Sequence, residues 1–145
     1  MPNSKPTNFD ACLATFVAFL NSEEQAYWAT RATEAAAGHR EALALLAPGS
    51  SDARAVEARI EAVVAGTMGL SASIQVMPGR RYVRIVKASG SGRHAFAFID
   101  TTNGDVLKPA GWKGPAKHAR GSILGEASAD AYGVTLYGAR YMGGR

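Results

Sequence analysis

Residues 80–108 read RRYVRIVKASGSGRHAFAFIDTTNGDVLK, and through this stretch apolar residues recur at every second position between glycine-bearing breaks. A period of two, rich in β-branched and aromatic side chains, is that of strands with one face buried. The breaks are Ser89-Gly90-Ser91-Gly92 and Asn103-Gly104, with Pro78-Gly79 just upstream; Asn-Gly is the strongest short hairpin signal. An antiparallel meander over residues 71–108 is therefore expected. With Gly90-Ser91 as a two-residue turn, Ile85 faces Phe96 and Val83 faces Phe98, on the side a helical layer would cover. Tyr82, Arg84, Val86, Ala95, Ala97 and Ile99 then share the opposite face.

Upstream of the meander the period lengthens to that of a helix. Phe9, Leu13, Phe16, Val17 and Leu20 form one apolar stripe, with Thr7 or Asn8 as cap and Asp10 in the first turn. Ser22 with Gln25 makes a capping-box pattern that opens a second, Ala-rich helix through Leu46, which Gly38 divides or kinks and Pro48-Gly49 stops. Ser50 or Ser51 caps a third helix, in which Val56, Ile60, Val63 and Val64 repeat the apolar spacing and Gly66 marks the end. Residues 1–6, with two prolines, read as a loose arm. The expected architecture is α+β in one domain over residues 1–145: a helical half at 7–66, of about three helices, packed on one face of a three- to four-stranded antiparallel meander.

A chain of 145 residues can bury about 70% of its unfolded surface, so neither a disulfide nor a structural metal is needed. Cys12 is the single cysteine; an intrachain disulfide is impossible, and it reads as an apolar filler in a reducing compartment. The apolar run Ala11 to Leu20 is about half the length a bilayer-spanning helix needs, and its flanks do not fit a secretory signal. No membrane association and a cytoplasmic location are expected.

Charge is segregated along the chain. Residues 1–78 hold five Lys and Arg against eight Asp and Glu, net −3, whereas residues 79–145 hold eleven against four, net +7. A surface divided in this way attracts a polyanion, or an acidic protein, by its field. Three of these cations, Lys113, Lys117 and Arg120, stand beside Trp112 in residues 109–121, PAGWKGPAKHARG, where no acidic residue occurs. Pro115 suits the first position of a helical turn over Ala116 to Arg120, which would align Lys113, Lys117 and Arg120 and offer backbone amides to a phosphate. Trp112 either stacks on an unpaired base or plugs the core beneath the loop, as tryptophan commonly does. Residues 122–145 read as irregular, with a short strand at Val134 to Tyr137 and a frayed Gly-Gly-Arg tail.

Common catalytic signatures are absent: no Walker-type phosphate loop, no G-x-S-x-G and no H-E-x-x-H occurs. His39, His94 and His118 are scattered, and Asp100 and Asp105, which flank the Asn103-Gly104 turn, read as local backbone partners rather than a cation site or acid–base pair. The run His94 to Ile99 resembles the RNP1 pattern of RNA-recognition motifs at Phe96, Ala97, Phe98 and Ile99. It departs from that pattern at Ala95 and Thr101, and it follows a hairpin rather than a helix and strand. Alternating aromatics on a strand are more often core, and the expected register points Phe96 and Phe98 inward, although stacking platforms of this kind do exist in sheet-type binders.

One longer resemblance lies in residues 98–123, FIDTTNGDVLKPAGWKGPAKHARGSI, carried by Asp100, Thr102, Gly104, Asp105, Lys108, Trp112, Lys113, Pro115, Lys117, Arg120 and Gly121. This run resembles small proteins of tailed bacteriophages with an Asp-x-Thr-x-Gly-Asp-hydrophobic-x-Lys stretch followed by Trp-Lys-x-Pro-x-Lys-x-x-Arg-Gly. The resemblance implies a phage origin and an ordered loop, and assigns no activity. Charge and loop together lead to the expectation of a non-enzymatic nucleic-acid-binding accessory protein that prefers single strands. Its contact residues are expected to be Trp112, Lys113, Lys117, His118, Arg120, Lys108, Arg84, Tyr82 and Arg81, with no catalytic residue, metal ligand or cofactor. The alternative is a phage virion or assembly component whose Tyr82 and Ile99 face, or apolar helix, packs on copies of itself or on other phage proteins; a third is an inhibitor of a host protein. Host cytoplasm, or the virion for the second reading, is the expected location.

Overall fold

Alternation and helical periodicity resolve into α1 (Phe9–Ala44), α2 (Ser51–Val64), β1 (Ala72–Met77), β2 (Tyr82–Ser89), β3 (Gly92–Asp100), β4 (Asp105–Pro109), β5 (Pro115–Ser122), α3 (Ala129–Tyr132), β6 (Val134–Thr135) and β7 (Gly138–Ala139) in a computed structural model of the chain. The structure describes residues 5–64, 72–90 and 92–141. The fold is α+β, helices before a five-stranded antiparallel sheet of order β1-β2-β3-β4-β5, with β6 and β7 as a separate ladder. Two compact units are distinguished, one formed by Met1–Glu23 with Ser73–Arg145, the other by Glu24–Ala72.

In the first unit the α1 stripe meets the sheet. Phe9, Phe16 and Leu20 are buried with Ile74, Val83, Ile85, Phe96, Ala97, Ile99 and Val106, and Leu13 and Val17 pack beside them. Each of the larger side chains contributes roughly 1.5–3 kcal/mol by leaving water. Tyr132 of α3 closes the cluster, with its ring edge-on to Phe16 at 4.8 Å and Phe19 at 5.2 Å. The side-chain oxygen of Asn21 accepts from the Ile74 amide at 2.9 Å, tying α1 to edge strand β1.

The β2–β3 register departs from the simple hairpin expectation. From Val86 to Ser89 the pairing is the expected one, Lys87 opposite His94 and Ala88 opposite Arg93, but a bulge between Ile85 and Val86 leaves Phe96 extra, so Ile85 pairs Ala97 and Val83 pairs Ile99. One added residue inverts the faces beyond it. Ala97 and Ile99 are thereby in the core, while Phe98, expected inward, pairs Arg84 on the outer face.

Downstream, the Asn103-Gly104 turn forms as expected. Gly104 has φ 76°, donates to Asp100 O at 2.8 Å, and its α-carbon faces the Leu124 side chain, so a Cβ there would be both strained and crowded. The sheet has one strand more than expected, because the basic stretch after Pro115 is β5 rather than a helical turn. Residues 122–139 are also more regular than expected: Ser128 caps the single turn of α3, and the expected strand at Val134 to Tyr137 is instead β6 and the turn leading to β7.

The second unit contains the rest of α1 and α2. The expected break at Ser22 does not occur and Gly38 does not divide the helix, so the first half has two helices among the described residues rather than about three. A cap stabilises a helix only where the preceding turn is not helical; here the amides after Ser22 have carbonyls behind them. Ser50 caps α2, accepting from the Ala53 amide at 3.1 Å, and Ala36, Ala53 and Val63 are buried. Trp28 donates to the buried Glu24 carboxylate at 2.9 Å. The expected helix end at Gly66, the strand start at Ser71, most of the loose arm and the terminal Gly-Gly-Arg lie outside the described residues. No helix among the described residues is long and apolar enough to cross a membrane.

Candidate nucleic-acid interface

The outer face of the sheet gathers part of the expected set. β4 and β5 end where Pro109 pairs Pro115, since proline has no amide for the next rung. The intervening Ala110 to Gly114 turn is closed by the amides of Ala110 and Gly111 on Gly114 O, at 3.0 and 3.4 Å. Trp112 stands in that turn and is 39% exposed. Its carbonyl accepts from Arg84 Nε at 2.8 Å, fastening the turn to β2.

Around the indole the structure collects guanidinium groups. The Arg84 guanidinium carbon is 4.7 Å from the Trp112 ring centroid and 5.6 Å from that of Phe98, and that of Arg93 is 5.6 Å from Trp112. Tyr82 meets Phe98 edge-on at 6.5 Å. Cation–π contacts of this kind contribute about 0.5–1 kcal/mol each at exposed sites. Among the described residues no carboxylate is paired with Arg84, Arg93, Lys113 or Lys117. Lys113 follows Trp112 in the turn and is exposed.

Other expected contacts are placed differently. Arg81 is committed to Asp100, its NH2 3.1 Å from Oδ2 and its Nε 3.3 Å from both carboxylate oxygens, and its guanidinium lies over Tyr82 at 5.3 Å. Burial disfavours the Asp100 anion, but hydrogen bonds from Arg81 and from the Thr102 hydroxyl and amide outweigh it and hold the carboxyl below its ordinary range. Asp105 is pushed above that range by burial and by the charge of Asp100, which a hydrogen bond with Asn103 only partly offsets. Both aspartates serve the turn, as their position in the sequence indicates.

Arg120 is consumed by backbone. β5 carries more residues than β4 over the same span, at Arg120 and again between Ala119 and Pro115, so it arches, with His118 at φ 71°. Arg120 folds back on this arch, donating to His118 O at 3.1 Å and Lys117 O at 3.3 Å, and reaches across to Arg140 O at 3.1 Å. Lys117 and His118 are exposed on the arch, but the helical alignment of Lys113, Lys117 and Arg120 does not exist. Lys108 is turned from Trp112 toward Tyr141, its Nζ 4.3 Å from that ring.

Phe96 and Phe98 are each 2% exposed, so neither presents a ring face in the manner of RNP1. The residue missed by sequence reasoning is Arg93. Its signal was present, because the hairpin register already puts it opposite Ala88, on the face of Arg84. Among the described residues no three His, Cys, Asp or Glu side chains form a metal-holding group.

In comparison with known proteins, residues 16–141 match the model of a family described as one of unknown function. No curated protein and no solved structure matches the chain.

Proposed function

Since the chain belongs to the family of unknown function DUF7717, a membership that assigns no activity, we propose from the geometry of its outer sheet face that it is a nucleic-acid-binding accessory protein with single strands as its preferred ligand. The observation that carries this reading is the convergence of Arg84 and Arg93 on a partly exposed Trp112, with no carboxylate among the described residues paired to either. Two like charges beside one ring lack an anion, and a phosphate between them supplies it while a base stacks on the free part of the indole. Only an unpaired base can present its face in that way, which is the reason for the single-strand preference. Tyr82, Lys113, Lys117 and His118 extend the surface; Arg81 is paired with Asp100 and Arg120 is bonded to the β5 arch.

On the resemblance of residues 98–123 to tailed-phage proteins, the proposed setting is the cytoplasm of an infected host. Of the face that the virion reading uses, Ile99 is fully buried in the core and Tyr82 is half-buried. The test is fluorescence anisotropy of labelled single- and double-stranded oligonucleotides at low salt. Tighter binding of the single strand is expected; failure to bind any probe would falsify the proposal.

A further inference from the structure

On the other side of β4 an open cleft of about 510 Å³ is floored by Phe96 and Ala139 and rimmed by Lys108, Pro109, Tyr137 and Tyr141. Tyr137 is 79% exposed and Tyr141 is 74% exposed. The Tyr137 amide donates to Thr135 Oγ1 at 3.1 Å, and that hydroxyl donates to Gly138 O at 3.3 Å, closing the β6–β7 turn. Arg140, next to Tyr141, is held through its amide on Gly133 O at 2.8 Å and through its own carbonyl, which accepts from Arg120. Two rings, Tyr137 on a closed turn and Tyr141 next to the held Arg140, are thus offered to solvent above an apolar floor, with the half-buried Lys108 ammonium beside one of them.

The chemistry of the cleft selects its occupant. A purely apolar ligand would cover the Lys108 ammonium without pairing it, and a free inorganic anion would make no use of the rings. A planar heterocycle joined to an anion satisfies both, and the volume lies within the range of small-molecule sites. The guanidinium of Arg140 is paired with Asp130, which leaves Lys108 as the cation for the anionic part. Lys108 is four residues from Trp112, at most about 14 Å along the chain.

Resting on the reading given above, we propose that this cleft is a second nucleotide subsite, in which one base of the same single strand packs on Tyr137 and Tyr141 and its phosphate meets Lys108. The strand then passes around the β4–β5 turn from one face to the other.

The full-length chain is titrated with a fluorescein-labelled oligothymidine of about 16 nucleotides, long enough to span both places. Replacing both rings (Tyr137→Ala with Tyr141→Ala) should weaken binding about 5- to 150-fold, the effect of losing one stacked base. The Phe pair (Tyr137→Phe with Tyr141→Phe) should bind as the unmodified chain does, because stacking uses the rings; Lys108→Met should bind more weakly. Since both rings are exposed, the unfolding midpoint of the Ala pair should be unchanged. Undiminished affinity in the Ala pair while Trp112→Ala still weakens binding would overturn the subsite and leave the outer-face reading standing. Loss in the Phe pair, or loss in the Ala pair only alongside a lowered midpoint, would overturn it too. No binding by the unmodified chain would remove both.

Discussion

Trp112 keeps part of its indole under Arg84 and gives the rest to solvent, so truncating it separates stability from binding. Trp112→Ala should lower stability by about 1–2 kcal/mol, well short of the 3–5 kcal/mol typical of a buried aromatic such as Phe16. Single-strand affinity should fall by about 1–3 kcal/mol. Thermal unfolding and anisotropy on one preparation read both quantities, and a stability loss as large as that of Phe16→Ala would make Trp112 a core residue. Asp100 gives a pH signature. Its carboxyl titrates below its unfolded range, so the unfolded chain takes up the proton more readily. The resulting stabilisation is present above about pH 4 and is lost as pH falls through the lower, folded value. Asp100→Asn should therefore cost about 1–2 kcal/mol at neutral pH, with a gap from the unmodified chain that narrows on acidification in urea titrations; a gap independent of pH would refute this. Trp112 and Arg84 were legible as candidates for the proposed surface from their type and place. Arg120 was not, because residue type does not tell which carbonyls the folded chain brings within its reach.

Elements were read well where one period held and poorly where two tendencies competed. Helices before an antiparallel meander follow from the stripe at Phe9 to Leu20 and the alternation at Tyr82 to Ile99. The Pro115 stretch satisfies a helix start and a strand start equally, and the free edge of β4 decided for the strand. β5 in turn lies against α3 at two glycines: a Cβ on Gly121 would meet the backbone of Ala131 and Tyr132, and one on Gly133 would meet that of Arg120. Neither backbone can yield without moving its element, so Gly121→Ala should cost about 3 kcal/mol. Gly111→Ala, with open space around it, should stay within about 0.5 kcal/mol. Equal unfolding midpoints for the two variants would show that the close approach of β5 and α3 does not hold the unit together.

At the scale of the molecule, the division into a −3 and a +7 portion predicts how binding responds to salt. If about four phosphates are neutralised on a single strand, affinity should fall about 50-fold between 50 and 200 mM salt; a flat response would show that the cations do not face the ligand. Fold class, the turns at Asn103-Gly104 and Pro48-Gly49 and the basic character of the second half were all decided locally, by spacing and composition along a few residues at a time. Which cations remain available was decided only when the chain closed on itself. A single bulge at Phe96 exchanged the faces of Phe98 and Ile99, and a hydrogen bond between residues 28 positions apart set Arg84 beside Trp112. Pairing of charges and register of strands depend on partners distant in sequence, and local periodicity carries no record of them.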